Sequence, residues 1–219
     1  MLSDRQERRK RRKSIRDEVW NLPNILTYGR ILAIPVVMYL LYLCKVGANS
    51  SDIDFPSRHS SFWAAVVFTI AAMTDFLDGW VARNFNLGSL LGRFLDPLAD
   101  KLIVMACLLM MVHLDRCPAW FVVLLIAREI SITSLRAIAS AEGLEIRVSQ
   151  GGKWKTAFQL TGLIGVLVHY EYPVSWWFVS MDLNFQRVGL ALLGLSLVMS
   201  LYSAMLYFRS FAMQAAENR

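Results

Sequence analysis

The sequence has few charged residues and few residues with special chemistry. Only 18% of its 219 residues are charged, whereas 56% are hydrophobic, and the mean hydropathy is +0.42. A soluble domain carries about 25% charged and about 45–50% apolar residues, so this composition excludes an ordinary soluble domain. The three cysteines, Cys44, Cys107 and Cys117, are an odd number without metal-ligand spacing, and we expect them to be small apolar fillers.

Several patterns that bind nucleotides, metals or nucleic acids are missing. There is no Gly-rich phosphate loop of the Walker or Rossmann type. The three histidines, His59, His113 and His169, are scattered rather than grouped as ligands. The basic N-terminal segment lacks aromatic interleaving, so we expect no nucleic-acid binding. We also expect no cleavable signal peptide, because this segment leads into an apolar run of full spanning length.

Long apolar runs dominate what is present. A helix needs about 20 apolar residues to cross a hydrocarbon core of about 30 Å. Six runs reach this length, at about 24–46, 61–82, 94–114, 119–141, 155–173 and 186–208. The sequence therefore predicts an all-α, polytopic membrane protein with six transmembrane helices. Aromatic residues between the last two runs, including Trp176 and Trp177, are typical of an interfacial belt at the outer surface.

The basic residues predict the orientation. The segment RQERRKRRKSIR, at 5–16, precedes the first run and supplies much of the net charge of +6. The positive-inside rule holds it in the cytoplasm, and an even number of spans returns the C-terminus to the same side. The arm could also attract anionic lipid headgroups. We expect a basic arm at 1–20, a membrane domain at 21–210 and a short C-terminal tail at 211–219, in the cell (inner) membrane.

Four aspartates interrupt the apolar sequence where the second and third runs meet. Asp75 and Asp78 are three residues apart, and Asp96 and Asp100 are four apart, so each pair shares one face of its helix. Two antiparallel helices can aim all four at one point. Each aspartate at the centre of a spanning helix costs about 2.5–3.5 kcal/mol, and converging carboxylates repel, so protons or metal ions must neutralise them. Hard oxygen ligands favour Mg²⁺, Mn²⁺ or Ca²⁺.

A purely structural interpretation is the alternative. Asp75 or Asp100 could form ordinary salt bridges with Arg83, Arg93 or Lys101 at the inner surface. A single aspartate would usually mean that, but four on two facing stripes favour a metal site.

The aspartate stretch resembles the signature of the CDP-alcohol phosphotransferase family. It reads Asp75-x2-Asp78-Gly79-x2-Ala82-Arg83-x8-Gly92-x3-Asp96-x3-Asp100, which is similar to the family pattern at every defined position. The flanking segments NLPNILTYGRILAIPVVMYLL and AREISITSLRAIASAEGLEIRVSQGGKWKTAFQ are also similar to members that use glycerol 3-phosphate, so the likeness covers roughly residues 20–165. That subfamily usually has a glycine where Ser134 stands here.

The resemblance implies a six-helix membrane enzyme, usually a homodimer, with a cytoplasmic active site. Such enzymes transfer a phosphatidyl group from CDP-diacylglycerol to an alcohol and release CMP. The resemblance implies that Asp75, Asp78 and Asp96 hold two Mg²⁺ or Mn²⁺ ions and that Asp100 is the catalytic base. Asp100 could equally ligate the second metal. Candidate CDP-binding residues are Gly79, Ala82, Arg83 and Gly92 of the signature, with Asn24 and Thr27 before it.

Basic residues on the later helices are candidates for binding the acceptor. Arg128 and Arg136 lie eight apart on nearly one helical face, Lys153 and Lys155 open the fifth run, and Arg30 lies in the first. Arginine forks bind phosphate oxygens bidentately, so this cluster favours a phosphate-bearing alcohol, glycerol 3-phosphate. In the structural alternative, Glu129 or an aspartate neutralises Arg128, and the two lysines mark the membrane interface.

Two alternatives to this function stay open. The same reaction could use another acceptor, either phosphatidylglycerol, as in a cardiolipin synthase, or an inositol phosphate. A divalent-cation transporter could instead use the four carboxylates as a binding station. Transport would need a polar path to the outer face, whereas the second and third runs are almost uninterrupted apolar sequence outside the aspartate region.

Overall fold

Six helices and one β-hairpin make up the described part of the chain. A computed structural model describes residues 22–48, 54–85, 90–142, 151–176 and 179–217, with side chains over 25–46, 57–74, 95, 97–142, 154–171 and 183–214. The elements are α1 (Leu22–Ala48), α2 (Asp54–Phe85), α3 (Leu90–His113), α4 (Ala119–Ala141), α5 (Gly151–Val168), β1 (Glu171–Trp176), β2 (Val179–Asn184) and α6 (Phe185–Glu217).

Each of the six predicted apolar runs corresponds to one helix, so the prediction of a helical protein is confirmed. The α4 helix has the predicted bounds of 119–141. The α2 helix begins at Asp54 rather than at 61, so it includes the polar residues that precede the apolar run. The α6 helix extends past 208 to Glu217, and therefore crosses the boundary expected at 210.

The β-hairpin between α5 and α6 is an addition to the all-α prediction. The α5 helix ends at Val168 rather than at 173, because His169 has a left-handed φ of 65° that a right-handed helix does not accommodate. Strands β1 and β2 then pair antiparallel, with Glu171 opposite Asn184. The Asn184 side-chain oxygen accepts a hydrogen bond from the Arg187 backbone N–H at 3.0 Å, which caps the start of α6.

The helices alternate in direction along the chain. Lys45, near the end of α1, donates a hydrogen bond to the carbonyl of His113 at the end of α3 (3.0 Å). Ser57, near the start of α2, contacts the hydroxyl of Tyr170, just after α5. We call this the hairpin end. At the opposite end, which we call the aspartate end, α2 finishes and α3 begins.

Helices α5 and α6 pack with their backbones in close approach. A Cβ atom added to Gly189 would lie 2.6 Å from the backbone nitrogen of Val166, and one added to Gly162 would lie 2.8 Å from that of Leu193. A larger residue cannot fit without moving the backbone. Gly194, on another face of α6, has nothing within 4 Å of such a Cβ. Glycine is therefore required at the α5–α6 contact and not at Gly194.

The outer surface of the bundle is apolar. Large side chains that point outward include Leu32, Ile70, Trp120, Val198 and Met205, all at least 60% exposed. Among the described residues, Ile25–Val46 and Phe185–Gln214 are long and apolar enough to span a membrane, and only 22% and 33% of their apolar windows are buried. The core helix of a soluble protein would be mostly buried, so this surface suits a lipid environment.

A buried arginine ties the helices together at the hairpin end. Arg116, in the α3–α4 loop, is 5% exposed. Its guanidinium donates to the carbonyl of Leu167 (3.1 Å), to Cys44 Sγ (3.0 Å) and to Ser61 Oγ (2.7 Å). Burial lowers the pKa of Arg116 from its ordinary value. These contacts join α1, α2 and α5 to the loop. All three cysteines are free and buried; Cys107 and Cys117 lie in the apolar core as expected, whereas Cys44 also accepts a hydrogen bond from Arg116.

Replacing Gly189 by alanine will destabilise the bundle. The added methyl group must displace the α5 backbone, and overpacking of this kind costs about 1–3 kcal/mol. Thermal unfolding in detergent will detect the loss. Gly194→Ala is the matched control on the same helix, and it will leave stability unchanged or raise it by up to about 1 kcal/mol, the helix-propensity difference. Equal stability of the two variants would contradict the packing described here.

Candidate active site

A cavity of about 590 Å³ lies in the aspartate half of the bundle, among helices α2 to α6. Its apolar lining residues include Val104, Leu108 and Leu125. Its ionisable lining residues are Asp100, Lys101, Arg128, Glu129, Arg136 and Lys155. A cavity lined by both kinds of residue can hold a molecule that has a charged part and an apolar part.

The aspartate signature meets this cavity through Asp100. Asp100 lines the wall on α3, and Ala72 lines it on α2. Asp75 follows Ala72 by three residues, and Asp96 precedes Asp100 by four, so each lies about one helical turn from a residue that lines the cavity. The side chains of Asp75, Asp78 and Asp96 lie outside the described residues. The structure thus brings Asp100 to the cavity and leaves the convergence of all four aspartates a prediction.

Arg128 is the most deeply buried cation of the cavity, with a side chain that is 4% exposed. Its Nε donates to the backbone carbonyl of Ser200 on α6 at 3.2 Å. Its Nη1 donates to Glu129 Oε2 at 2.7 Å. Its Nη2 is also buried and has no hydrogen-bond partner among the described residues. A buried guanidinium with an unused donor is suited to bind an anion, because a buried N–H group without an acceptor is costly.

Further cations surround Arg128. Arg136 is exposed and lies over the ring of Tyr207, 6.0 Å from its centroid. Lys155 is partly buried on α5, and its backbone carbonyl accepts a hydrogen bond from Ser196 Oγ on α6 at 2.8 Å. Together with Lys101, four cations line the cavity against two described carboxylates. This excess of positive charge among the described lining residues attracts anions to the cavity.

The remaining predicted site residues do not line the cavity or are not described. Thr27 and Arg30 are buried on α1, at 0% and 2% exposure, and neither lines the cavity that the described residues form. The side chains at six other predicted positions lie outside the described residues, namely Asn24, Gly79, Ala82, Arg83, Gly92 and Lys153.

One contributor to the site was not predicted from the sequence, and another has more contacts than predicted. The carbonyl of Ser200 holds Arg128 although nothing in the residue type marks it, since any residue has a carbonyl. Glu129 was considered only as a neutralising partner of Arg128, whereas in the structure its Oε1 also lies 4.0 Å from Lys101 Nζ. An acidic residue directly after a buried arginine was the available signal.

The acidic residues of the signature fit a divalent metal by their chemistry. Four carboxylates supply only oxygen ligands, which Mg²⁺ and Mn²⁺ prefer. Among the described side chains, no group of three or more His, Cys, Asp or Glu converges, and the side chains of three of the four signature aspartates are not described. Asp100 is at the cavity wall and is the one described member of the set.

Comparison with known proteins identifies the class. The sequence profile of the CDP-alcohol phosphatidyltransferase family matches residues 20–202. The chain therefore belongs to the CDP-alcohol phosphatidyltransferase family and is a transferase. This agrees with the resemblance seen in the aspartate signature.

The names of individual similar proteins specify a reaction more closely than the family profile does. The chain is 38% identical over 157 residues to the CDP-diacylglycerol–glycerol-3-phosphate 3-phosphatidyltransferase of Bacillus subtilis (strain 168), covering 69% of this chain and 78% of the relative. It is 34% identical over 194 residues to the enzyme of that name from Shigella flexneri serotype 5b (strain 8401), covering 86% and 93%. It is also 32% identical over 206 residues to a cardiolipin synthase (CMP-forming) of Oryza sativa subsp. japonica, covering 86% of this chain and 56% of that protein.

Replacing Arg128 by methionine will remove most of the anion binding. The change deletes the unused Nη2 donor, and it also removes one partner of the ion pair with Glu129, so the variant will be less stable than the wild type before phosphate is added. Inorganic phosphate will raise the unfolding temperature of the wild type and will raise that of Arg128→Met much less, since only the other cations of the cavity remain. Arg209→Met, which changes an exposed arginine of α6 outside the cavity lining, is the control and will respond like the wild type. A full phosphate response in Arg128→Met would contradict this assignment.

Proposed function

We propose that the protein transfers a phosphatidyl group from CDP-diacylglycerol to the hydroxyl of sn-glycerol 3-phosphate, giving phosphatidylglycerophosphate and CMP. The observation that carries this proposal is a single cavity that joins Asp100 to a cluster of cations. The similarity to the Bacillus subtilis and Shigella flexneri enzymes supports the choice of both substrates.

The cation cluster supports a phosphate-bearing acceptor. Arg128 offers an unused Nη2 donor, and Arg136 and Lys155 lie on other parts of the same cavity. Charge-assisted hydrogen bonds from arginine to phosphate are among the strongest available to a protein. We propose that these residues, with Lys153, bind the phosphate of the acceptor.

Asp100 is proposed to act as the base of the transfer. The free hydroxyl of the acceptor attacks the phosphorus that carries the diacylglycerol, and Asp100 takes the hydroxyl proton. The bond between that phosphorus and the oxygen of CMP breaks, and CMP leaves with the electron pair. With the acceptor's phosphate held at the cations, its hydroxyl can be oriented toward Asp100, and fixed orientation removes much of the barrier to such a reaction.

The signature aspartates are proposed to hold the metal. Dependence on divalent metal is general in this family. We propose Asp75, Asp78 and Asp96 as ligands of two Mg²⁺ or Mn²⁺ ions, and Asp100 as a further ligand of the second ion. When bound, such ions shield the pyrophosphate charge and align it for displacement. Gly79, Ala82, Arg83 and Gly92 stay the proposed CDP-binding residues, with Asn24 and Thr27.

The protein is proposed to lie in the cell membrane with its active site at the cytoplasmic face. The apolar outer surface of the bundle supports membrane embedding. Helix α1 begins at the aspartate end and α6 finishes there, so the basic N-terminal arm and the site belong to the same side under the positive-inside rule. Six transmembrane helices and the homodimer stay predictions.

A second acceptor, phosphatidylglycerol, is favoured by one observation. The rice relative is a cardiolipin synthase (CMP-forming), and its similarity to this chain extends over 206 residues. That acceptor also presents a phosphate and a free hydroxyl, so the same cations and the same base would serve it.

An acceptor panel will test the proposed reaction. Purified protein with Mg²⁺ or Mn²⁺ will release CMP from CDP-diacylglycerol when glycerol 3-phosphate is added, and will do so poorly with phosphatidylglycerol, inositol phosphate or no acceptor. The similarity to the Bacillus subtilis and Shigella flexneri enzymes is the reason for this preference, since the cation cluster by itself suits any phosphate-bearing acceptor. Preference for phosphatidylglycerol would reassign the acceptor. Failure to release CMP with every acceptor, combined with metal uptake into liposomes, would favour a cation transporter.

Asp100→Asn will abolish most of the turnover. The amide cannot accept the hydroxyl proton, and general-base catalysis contributes about 10²–10⁴-fold, so the rate of CMP release will fall by at least about 100-fold. Asp115→Asn is the matched control, because Asp115 lies in the α3–α4 loop at the hairpin end and asparagine tolerates its left-handed φ of 56°. Turnover of Asp100→Asn equal to that of the wild type would exclude Asp100 as the base.

A further inference from the structure

Glu129 is an acidic residue in a cavity whose described lining residues attract anions. It lines the cavity beside Arg128 and Lys101, and its side chain is 34% exposed. A carboxylate in this position repels phosphate, so charge alone would disfavour it. Its contacts provide a reason for its presence.

The two oxygens of Glu129 lie near two different cations. Oε2 accepts a hydrogen bond from Arg128 Nη1 at 2.7 Å. Oε1 lies 4.0 Å from Lys101 Nζ, on the neighbouring helix α3. Glu129 therefore bridges a cation of its own helix and a cation of the helix that carries Asp100.

Thr133 reinforces the bridge. Its hydroxyl donates to the backbone carbonyl of Glu129 at 2.8 Å, one turn earlier on α4, and accepts a hydrogen bond from Lys101 Nζ. The ammonium group of Lys101 is thus held on α4 by two groups.

The guanidinium of Arg128 is held at two of its three nitrogens. Nε is held by the carbonyl of Ser200 and Nη1 by Glu129, whereas Nη2 has no partner among the described residues. A planar guanidinium with two fixed nitrogens has a fixed third nitrogen. Without Glu129, only the contact to Ser200 would orient the group.

We propose that Glu129 is a positioning residue, which orients Arg128 so that its Nη2 meets the phosphate of the acceptor. The assignment of that phosphate rests on the proposed function. The fixed donor binds phosphate more tightly than a mobile one, and this gain exceeds the repulsion from the Glu129 carboxylate, which Arg128 and Lys101 largely neutralise.

The primary test measures the binding of inorganic phosphate. Binding is detected because phosphate stabilises the protein against unfolding. Glu129→Ala will weaken phosphate binding about tenfold, the loss of roughly one charge-assisted contact. Glu129→Gln keeps the shape of the side chain and one acceptor oxygen, so it replaces the alanine variant in this test if that variant does not fold. It will weaken phosphate binding about threefold, because a neutral acceptor holds Arg128 less firmly than a carboxylate does. Glu142→Ala, at an exposed position after α4, is the matched control and will bind like the wild type.

A double-mutant cycle separates positioning from a general structural effect. If Glu129 acts through Arg128, then Glu129→Ala will not weaken phosphate binding further in an Arg128→Met background, and removal of the remaining repulsive carboxylate will strengthen it. In the transfer reaction, Glu129→Ala will raise the KM for glycerol 3-phosphate about tenfold and leave kcat within about threefold.

The outcomes distinguish this inference from the proposed function. Phosphate binding that is unchanged in Glu129→Ala and Glu129→Gln, weakened equally with and without Arg128, or absent from the wild type would overturn the positioning role. If phosphate binding of the wild type depends on Arg128 and on Glu129, but the protein releases no CMP with any acceptor, the proposed reaction is overturned and the positioning role stays supported.

Discussion

The site depends on one buried guanidinium in an apolar bundle. Arg128 is stabilised by a carbonyl of α6 and a carboxylate of its own helix, and that carboxylate also reaches Lys101 on α3. Three helices therefore meet at one charge. Burying such a charge costs several kcal/mol unless hydrogen bonds offset it, so the position of these helices and the state of the arginine are linked. A ligand phosphate would complete the set of partners.

A second buried arginine shows what a purely structural arrangement looks like. Arg116, at the hairpin end, donates from both terminal nitrogens, to a carbonyl, a hydroxyl and a thiol. It joins three helices to a loop and lies among neutral partners. Arg128 differs because a buried nitrogen has no partner among the described residues and because it faces a cavity. The contrast supports a structural role for Arg116 and a binding role for Arg128.

Close packing of α5 on α6 helps to place Lys155 of α5 in the same cavity as Arg128 of α4. Glycines allow the two backbones to approach, as at Gly189, and Ser196 then reaches the carbonyl of Lys155. One turn further along α6, the carbonyl of Ser200 reaches Arg128. Helix α6 thus holds elements of α4 and α5 at once. Its packing surface organises the cations, while its other faces are apolar and exposed.

The sequence by itself determined the local features, namely six apolar helices, the spacing that puts aspartates on shared faces, and the family. Those features depend on neighbours within a few turns, which a one-dimensional pattern records. Only the tertiary structure decided which groups meet: Arg128 and Ser200 are 72 positions apart, and a backbone carbonyl has no signature in residue type. The start of the hairpin also depends on the left-handed φ of His169. The residue type does not predict that conformation, because residues other than glycine rarely adopt it.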